Sequence, residues 1–274
     1  MMSSIRDRRS ANVSVEVRAE AATTIPSIDA SITLQLLPAV LSLIAGSTDI
    51  ISFIGLNGLF TAHITGNLAI LAAHLATGEK AQLAVMLSVP MFMAVLGIAK
   101  VMAGVIESSG VASLQPLLLI QFILLAGFLY LCVPLGSRID LDATGTVVAG
   151  MLGVSAMAVQ AALVQVSLKD SPSTVVMTTN ITRFMMDIGE LLRGRDASKI
   201  AIARTRARHT WPAIVAFAAG CAFGAIAQIL LGLWSLALPT GLAFVAFGMA
   251  LVDASTRRGA QCRFSKWPSR QQGL

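Results

Sequence analysis

The sequence predicts an all-α polytopic membrane protein, with six firm transmembrane helices plus two short motif helices arranged as an internal two-fold repeat. Three observations carry this expectation. The 274 residues are 55% hydrophobic and 12% charged, with mean hydropathy +0.78, whereas soluble domains carry about 25% charged residues. Six apolar runs, 33–56, 81–106, 113–135, 144–168, 210–232 and 234–252, each reach roughly the 17–25 residues that a helix needs to cross a bilayer. A short motif also recurs: ITGNLAIL at 64–71 aligns with MTTNITRF at 177–184, sharing Thr-x-Asn and its apolar neighbours.

Along the chain, residues 1–32 read as a disordered polar tail in which four Arg are balanced by four acids. No short apolar region with a small-residue cleavage site follows these charges, so a cleavable signal peptide is not expected. The first apolar run ends LIAGSTDIISFIG, which puts Asp49 inside it. The first motif then places His63, Thr65, Gly66 and Asn67 in a greasy stretch. The run at 81–106 carries Lys100 and Pro90, the latter able to kink a helix. After 113–135 the order repeats. A long run holds Gln160 in the place of Asp49, the second motif holds Thr178 and Asn180, and Gln228 stands near the place of Lys100 in the later run. The halves are about 33–135 and 144–252 of a single membrane domain, 33–255, with a basic tail at 256–274. Weak internal similarity of this kind is common in membrane repeats.

Whether the motif segments cross the membrane stays open at this level. If both cross there are eight spans and parallel halves; if both are short or re-entrant there are six and the halves are inverted. Lys80 and Arg138 against Lys169 favour eight by one residue, whereas Arg183, Asp187 and Glu190 in the second motif are expensive in lipid and favour six.

The charge distribution sets orientation and excludes one class. Of twenty Lys and Arg, four precede residue 19, six lie from Arg193 to Arg208 and five from Arg257 to Arg270. Cations beside spans mark the cytoplasmic side, so both termini and the 193–208 tract are expected to be cytoplasmic. Anionic lipid headgroups, rather than nucleic acid, are the partner expected for that tract. Cys132 and Cys221 lie in apolar runs as small core residues, and with Cys262 they lack metal-ligand spacing. No metal and no cofactor are expected. Protease, hydrolase and phosphate-loop motifs are absent from the sequence, so no enzyme is read.

The polar residues also carry a resemblance. Gly46 with Asp49, then Phe60, His63, Thr65, Gly66 and Asn67, then Ala158 with Gln160, and Thr174, Val176, Met177, Thr178 and Thr179 resemble the pattern of the YoaK-like family of bacterial membrane proteins. Ala158 and Thr179 stand where that pattern has glycine. The resemblance spans roughly residues 34–255 and implies a multi-spanning membrane protein with no established activity.

Each polar residue has a structural and a functional reading. Asn67, Thr65, Thr178 and Asn180 suit helix caps or interhelical hydrogen bonds, as well as solute contacts. Asp49 is a functional candidate by its place in an apolar segment, or a structural partner of Lys100 or of a motif group. His63 can hold a proton near neutral pH or sit at the interface. Gly66 is a close-packing or helix-break position. Arg183, Asp187 and Glu190 are spaced for mutual pairing along one helix face. The leading function is a small secondary transporter or facilitative pore for a small polar or anionic solute, with Asp49 and His63 as proton-coupling candidates. A non-transporting scaffold or lipid-responsive protein is the alternative, and an intramembrane enzyme the third. Oligomeric state is not legible.

Overall fold

In the computed structural model, residues 32–136, 140–168 and 171–265 are described, with side chains from Leu36 to Ser255. These residues form eight α-helices and two short 3₁₀ turns: α1 (Ile32–Gly55), α2 (Ile64–Thr77), α3 (Leu83–Ser108), α4 (Leu114–Cys132), α5 (Thr144–Ser167), α6 (Met177–Arg193), α7 (Ala197–Leu231) and α8 (Ala237–Ser265). No strand occurs among the described residues. The 1–31 part of the expected tail and residues 266–274 lie outside the described residues, and α8 continues to Ser265 through the first part of the expected basic tail.

Five stretches are long and apolar enough to cross a membrane: Leu36–Gly55, Leu83–Ser108, Leu114–Leu135, Thr144–Ser167 and Ala197–Ser255. The last, 59 residues long, contains α7 and α8, separated by the 3₁₀ turn Gly232–Leu236, where Gly232 takes φ +56°. The motif helices differ from these. Helix α2 has 14 residues, about 21 Å at 1.5 Å per residue and short of a bilayer core of about 30 Å. Helix α6 is strongly amphipathic, with Asp187 on its buried face and Met185, Met186 and Leu192 exposed.

Helix directions follow from named contacts. Gly220 meets the backbone of Leu43, Gly46 that of Phe217, Gly224 that of Ser47, and Gly55 the side chain of Gln228, so α1 and α7 run parallel. A Cβ at Gly46 would stand 2.3 Å from the Phe217 carbonyl oxygen and one at Gly220 2.4 Å from that of Leu43. Glycine is therefore required where the two backbones touch, as in small-residue seams between membrane helices. Helices α3 and α5 are also parallel: the Ala84 N–H donates to Leu141 at one end, and Ser113, just beyond α3, bonds Glu107 and Ser167 at the other. Helices α1 and α5 are antiparallel, because Gln160 donates to the Leu41 carbonyl while Leu59, beyond the end of α1, packs on Gly150. Helices α4 and α8 are antiparallel through Gln115 to Ala250 and Thr240 to Leu125.

Helix α1 packs on α7 and α8, α5 on α3 and α4, α4 on α8, α2 on α3 and α6 on α7. Helices α1 and α5 are the most enclosed of the apolar stretches, with 67% and 83% of their apolar windows buried. The other long helices surround these two and expose apolar side chains such as Met93, Val101, Ile123 and Ile229. One end of the bundle gathers the starts of α1 and α7 and the ends of α3, α5 and α8, together with the 193–208 cations; we call it the basic end. Segment 56–82, with α2, leaves and returns to the opposite end. Segment 168–196, with α6, leaves and returns to the basic end.

Candidate functional site

The first motif begins before its helix. Residues 56–63 run over α5, where Gly150 makes room for Leu59, and Gly153 for Thr61 and Phe128. Asp49, 4% exposed, holds this segment. Its Oδ1 accepts the N–H groups of Thr61 at 2.9 Å, Ala62 at 2.7 Å and His63 at 3.3 Å, and its Oδ2 lies 2.5 Å from His63 Nδ1. A buried carboxylate thus finds donors in the motif itself, which offsets its desolvation. Lys100 is not its partner: it stands exposed on α3, which packs on α5 and α2 while α1 packs on α7 and α8. The expected Asp49–Lys100 pair is replaced by Asp49–His63, because backbone donors and an imidazole lie closer than a cation on a helix without a shared seam.

Asn67 fixes the other side of the loop. It is fully buried; its Oδ1 accepts the Phe60 N–H at 3.0 Å, and its Nδ2 donates to the Phe60 carbonyl at 2.7 Å and to Ser88 at 2.8 Å. Gly66 explains itself at this point. A Cβ there would stand 2.9 Å from the Phe60 ring, which also stacks on Phe53 and meets His63 edge-on. The chain breaks at 56–63 rather than at Gly66, and α2 starts at Ile64 with His63 as its N-cap and no side-chain cap hydrogen bond. Thr65 therefore does not cap the helix.

The second motif repeats part of this construction. Asn180, 1% exposed, donates to the Ser173 carbonyl seven residues earlier, the same interval as Asn67 to Phe60. Gln160 is fully buried. Its Nε2 donates to Leu41 O and Thr174 Oγ1, and its Oε1 accepts from Gln121, so it ties α5 to α1, α4 and the motif loop. The expected Arg183–Asp187–Glu190 pairing is not formed: buried Asp187 is held by Arg206 of α7. Gln228 is apart from all of this. It accepts from Ser235 at 2.6 Å across the Gly232–Leu236 turn.

A cavity of about 640 Å³ brings the two motifs together. His63, Ile64 and Thr65 line it from the first half and Val175, Val176, Met177 and Thr178 from the second, with Arg183, Gln165 and Ser173 adding polarity and Phe92, Leu96 and Val164 an apolar wall. Asp49, Gly66, Asn67, Gln160 and Asn180 do not line it; they hold the segments that do. The His63 side chain, 37% exposed, has one face toward the Asp49 carboxylate and edge contact with Phe217. Arg183 is the lining residue whose role the sequence hid, since its spacing to Asp187 suggested a local pair. Among the described residues no group of three or more His, Cys, Asp or Glu forms a metal site; Cys132 and Cys221 are unpaired thiols.

An apolar helical bundle enclosing polar, hydrogen-bonded motif loops defines an integral membrane protein. The family described as "Protein of unknown function (DUF1275)" matches residues 37–249, and the chain belongs to it, as the motif resemblance implied. No curated protein and no solved structure matched the chain.

Proposed function

We propose that the chain is a small secondary transporter or facilitative pore for a small polar or anionic solute. It would work as an inverted two-fold repeat with three crossings and one re-entrant helix per half. The observation that carries this reading is the shared cavity, onto which the N-terminal ends of α2 and α6 open from opposite halves. The positive ends of these half-helices, with Arg183, suit an anionic group, and Thr65, Thr178 and Ser173 suit a polar one. The proton-coupling role proposed for His63 is supported by its contact with Asp49 on one side and the cavity on the other.

The inverted repeat is supported by the packing. Exchanging α1 with α5, α2 with α6, α3 with α7 and α4 with α8 turns each of the main helix contacts into another of them. The antiparallel course of α1 and α5 gives the exchange its inversion. Six crossings, with α2 and α6 re-entrant from opposite ends, agree with these directions. The basic end is then cytoplasmic and carries both termini, in a bacterial inner membrane. We read no enzyme, cofactor or nucleic-acid partner.

The test is uptake and efflux profiling of metabolites in cells lacking or overproducing the protein, followed by Thr65→Val and Thr178→Val. Flux of the affected solute falls at unchanged abundance if the cavity carries it; unchanged flux in both variants removes the cavity from the pathway. The second reading, a lipid-responsive scaffold, is favoured by the concentration of cations at one end. Neutralising the 193–208 cations abolishes a scaffold's effect and leaves a transporter's flux.

A further inference from the structure

We propose that the cleft between α6 and α7 at the basic end, which shares Arg183 and Ser171 with the solute cavity, binds the phosphate of an anionic phospholipid, whether or not the cavity carries a solute. The cleft has a volume of about 510 Å³. Its basic side chains are Arg183 of α6 and Arg206 and His209 of α7. The one acid on its wall, Asp187, is buried and already engaged by Arg206, whose side chain remains 66% exposed. Glu190 lines a neighbouring pocket together with Lys199, not the cleft itself. Arg183 and His209 are in no ion pair among the described residues. Two guanidinium groups with one neutralised carboxylate leave an excess of positive charge, and guanidinium forks match phosphate oxygens.

Depth and surroundings favour a lipid over a free phosphate. Extending the parallel α1–α7 register, Leu43 to Gly220 and Ser47 to Gly224, sets His209 beside the first turn of α1, where the apolar run begins and headgroups lie. Exposed apolar side chains flank the charged floor: Met186 is 73% exposed, Ile202 57% and Trp211 49%. A cationic floor with an apolar margin and an interfacial tryptophan fits a molecule with a phosphate head and acyl chains.

The experiment uses the purified full chain, offered equimolar phosphatidylglycerol and phosphatidylcholine and read by native mass spectrometry. The wild type retains phosphatidylglycerol preferentially. Arg183→Gln and His209→Gln each lower that preference, the arginine variant by about five-fold, the effect of one interfacial cation. Arg204→Gln and Arg208→Gln, which remove the same charge from α7 outside the cleft, leave it unchanged. Equal losses in the control variants would mean diffuse attraction to the tract and would overturn the site. Full displacement by glycerol phosphate at the lipid's own concentration would mean a free-phosphate site and overturn the lipid assignment. A normal gel-filtration profile of each variant excludes misfolding as the cause, and if Arg183→Gln fails that check, His209→Gln carries the test.

Discussion

Asp49 and Asn67 show how an apolar chain hides polar side chains by spending them on its own backbone. Asp49 Oδ1 takes three backbone N–H groups and Asn67 takes both polar groups of Phe60. Asp49→Ala therefore strands three donors, whereas Asp49→Asn keeps a carbonyl in their reach. Stranded buried groups cost about 1–3 kcal/mol each, so Asp49→Ala lowers folded abundance far more than Asp49→Asn, read by fluorescence-detected gel filtration. Equal losses would show that the carboxylate charge, not its acceptor role, holds the loop. Asn67→Ala lowers the thermal midpoint in detergent, while Thr65→Val, at an exposed cavity position, leaves it in place. A lowered midpoint for Thr65→Val would move that residue into the structural group. The sequence made Asp49 conspicuous and offered Lys100 or a motif group as its partner; the motif supplies it, through His63 and three backbone N–H groups. Lys100 drew attention as a charge in an apolar run, yet a lysine can lay its stem along apolar surface and keep its ammonium outside. The main-chain donors leave no mark in residue type.

At the scale of elements, glycines decide how closely the helices and loops approach. Gly46→Ala pushes a methyl group into the Phe217 carbonyl, a backbone atom that cannot turn aside. Overpacking of this kind costs about 1–3 kcal/mol, and the α1–α7 seam should loosen, lowering the melting temperature. Gly97→Ala, where nothing stands within 4 Å, is the control; an equal loss there would remove the seam argument. The apolar runs gave the long helices to within a few residues, because a bilayer-length hydrophobic run has few other solutions. They did not reveal that the last helices reach Ala197 and Ser265. Those extensions are polar, and the α7 extension is stabilised by packing on α6.

For the whole molecule, the directions of the helices set the expected topology. Reporters fused after residues 20, 200 and 270 read cytoplasmic and one after Lys80 reads outside. A cytoplasmic reading at Lys80 would restore eight crossings. The end opposite the basic one also carries a pH-dependent tie. Asp142 accepts from Lys80 at 2.6 Å and from the Leu83 N–H at 2.9 Å. Lys80 and that N–H hold its carboxyl below the usual range, while Asp142 raises Lys80 above its own. A lowered carboxyl pKa contributes stability above the unfolded value and loses it as pH falls through the folded one. A raised lysine pKa contributes below the unfolded value and loses it as pH rises through the folded one. Asp142→Asn should thus lower the melting temperature slightly at neutral pH, and the difference from wild type should vanish in acid. A difference that persists below the carboxylate range would assign the effect to the Leu83 cap instead.

By itself the sequence determined that the chain is a membrane protein of long helices, where the cations gather, and which two motifs interrupt the apolar pattern. Those are properties of composition and periodicity, and the bilayer permits few structures that satisfy them. Only the tertiary structure decided who pairs with whom: His63 with Asp49, Arg206 with Asp187, Gln160 with Leu41 and Thr174. Of these, Gln160 and Leu41 are 119 residues apart, whereas His63 and Thr174 follow their partners by 14 and Arg206 follows Asp187 by 19. Which elements meet depends on helix direction and on where glycines let backbones touch. The cavity has the same origin. Its two lips are local motifs, but their meeting is a property of the packed bundle.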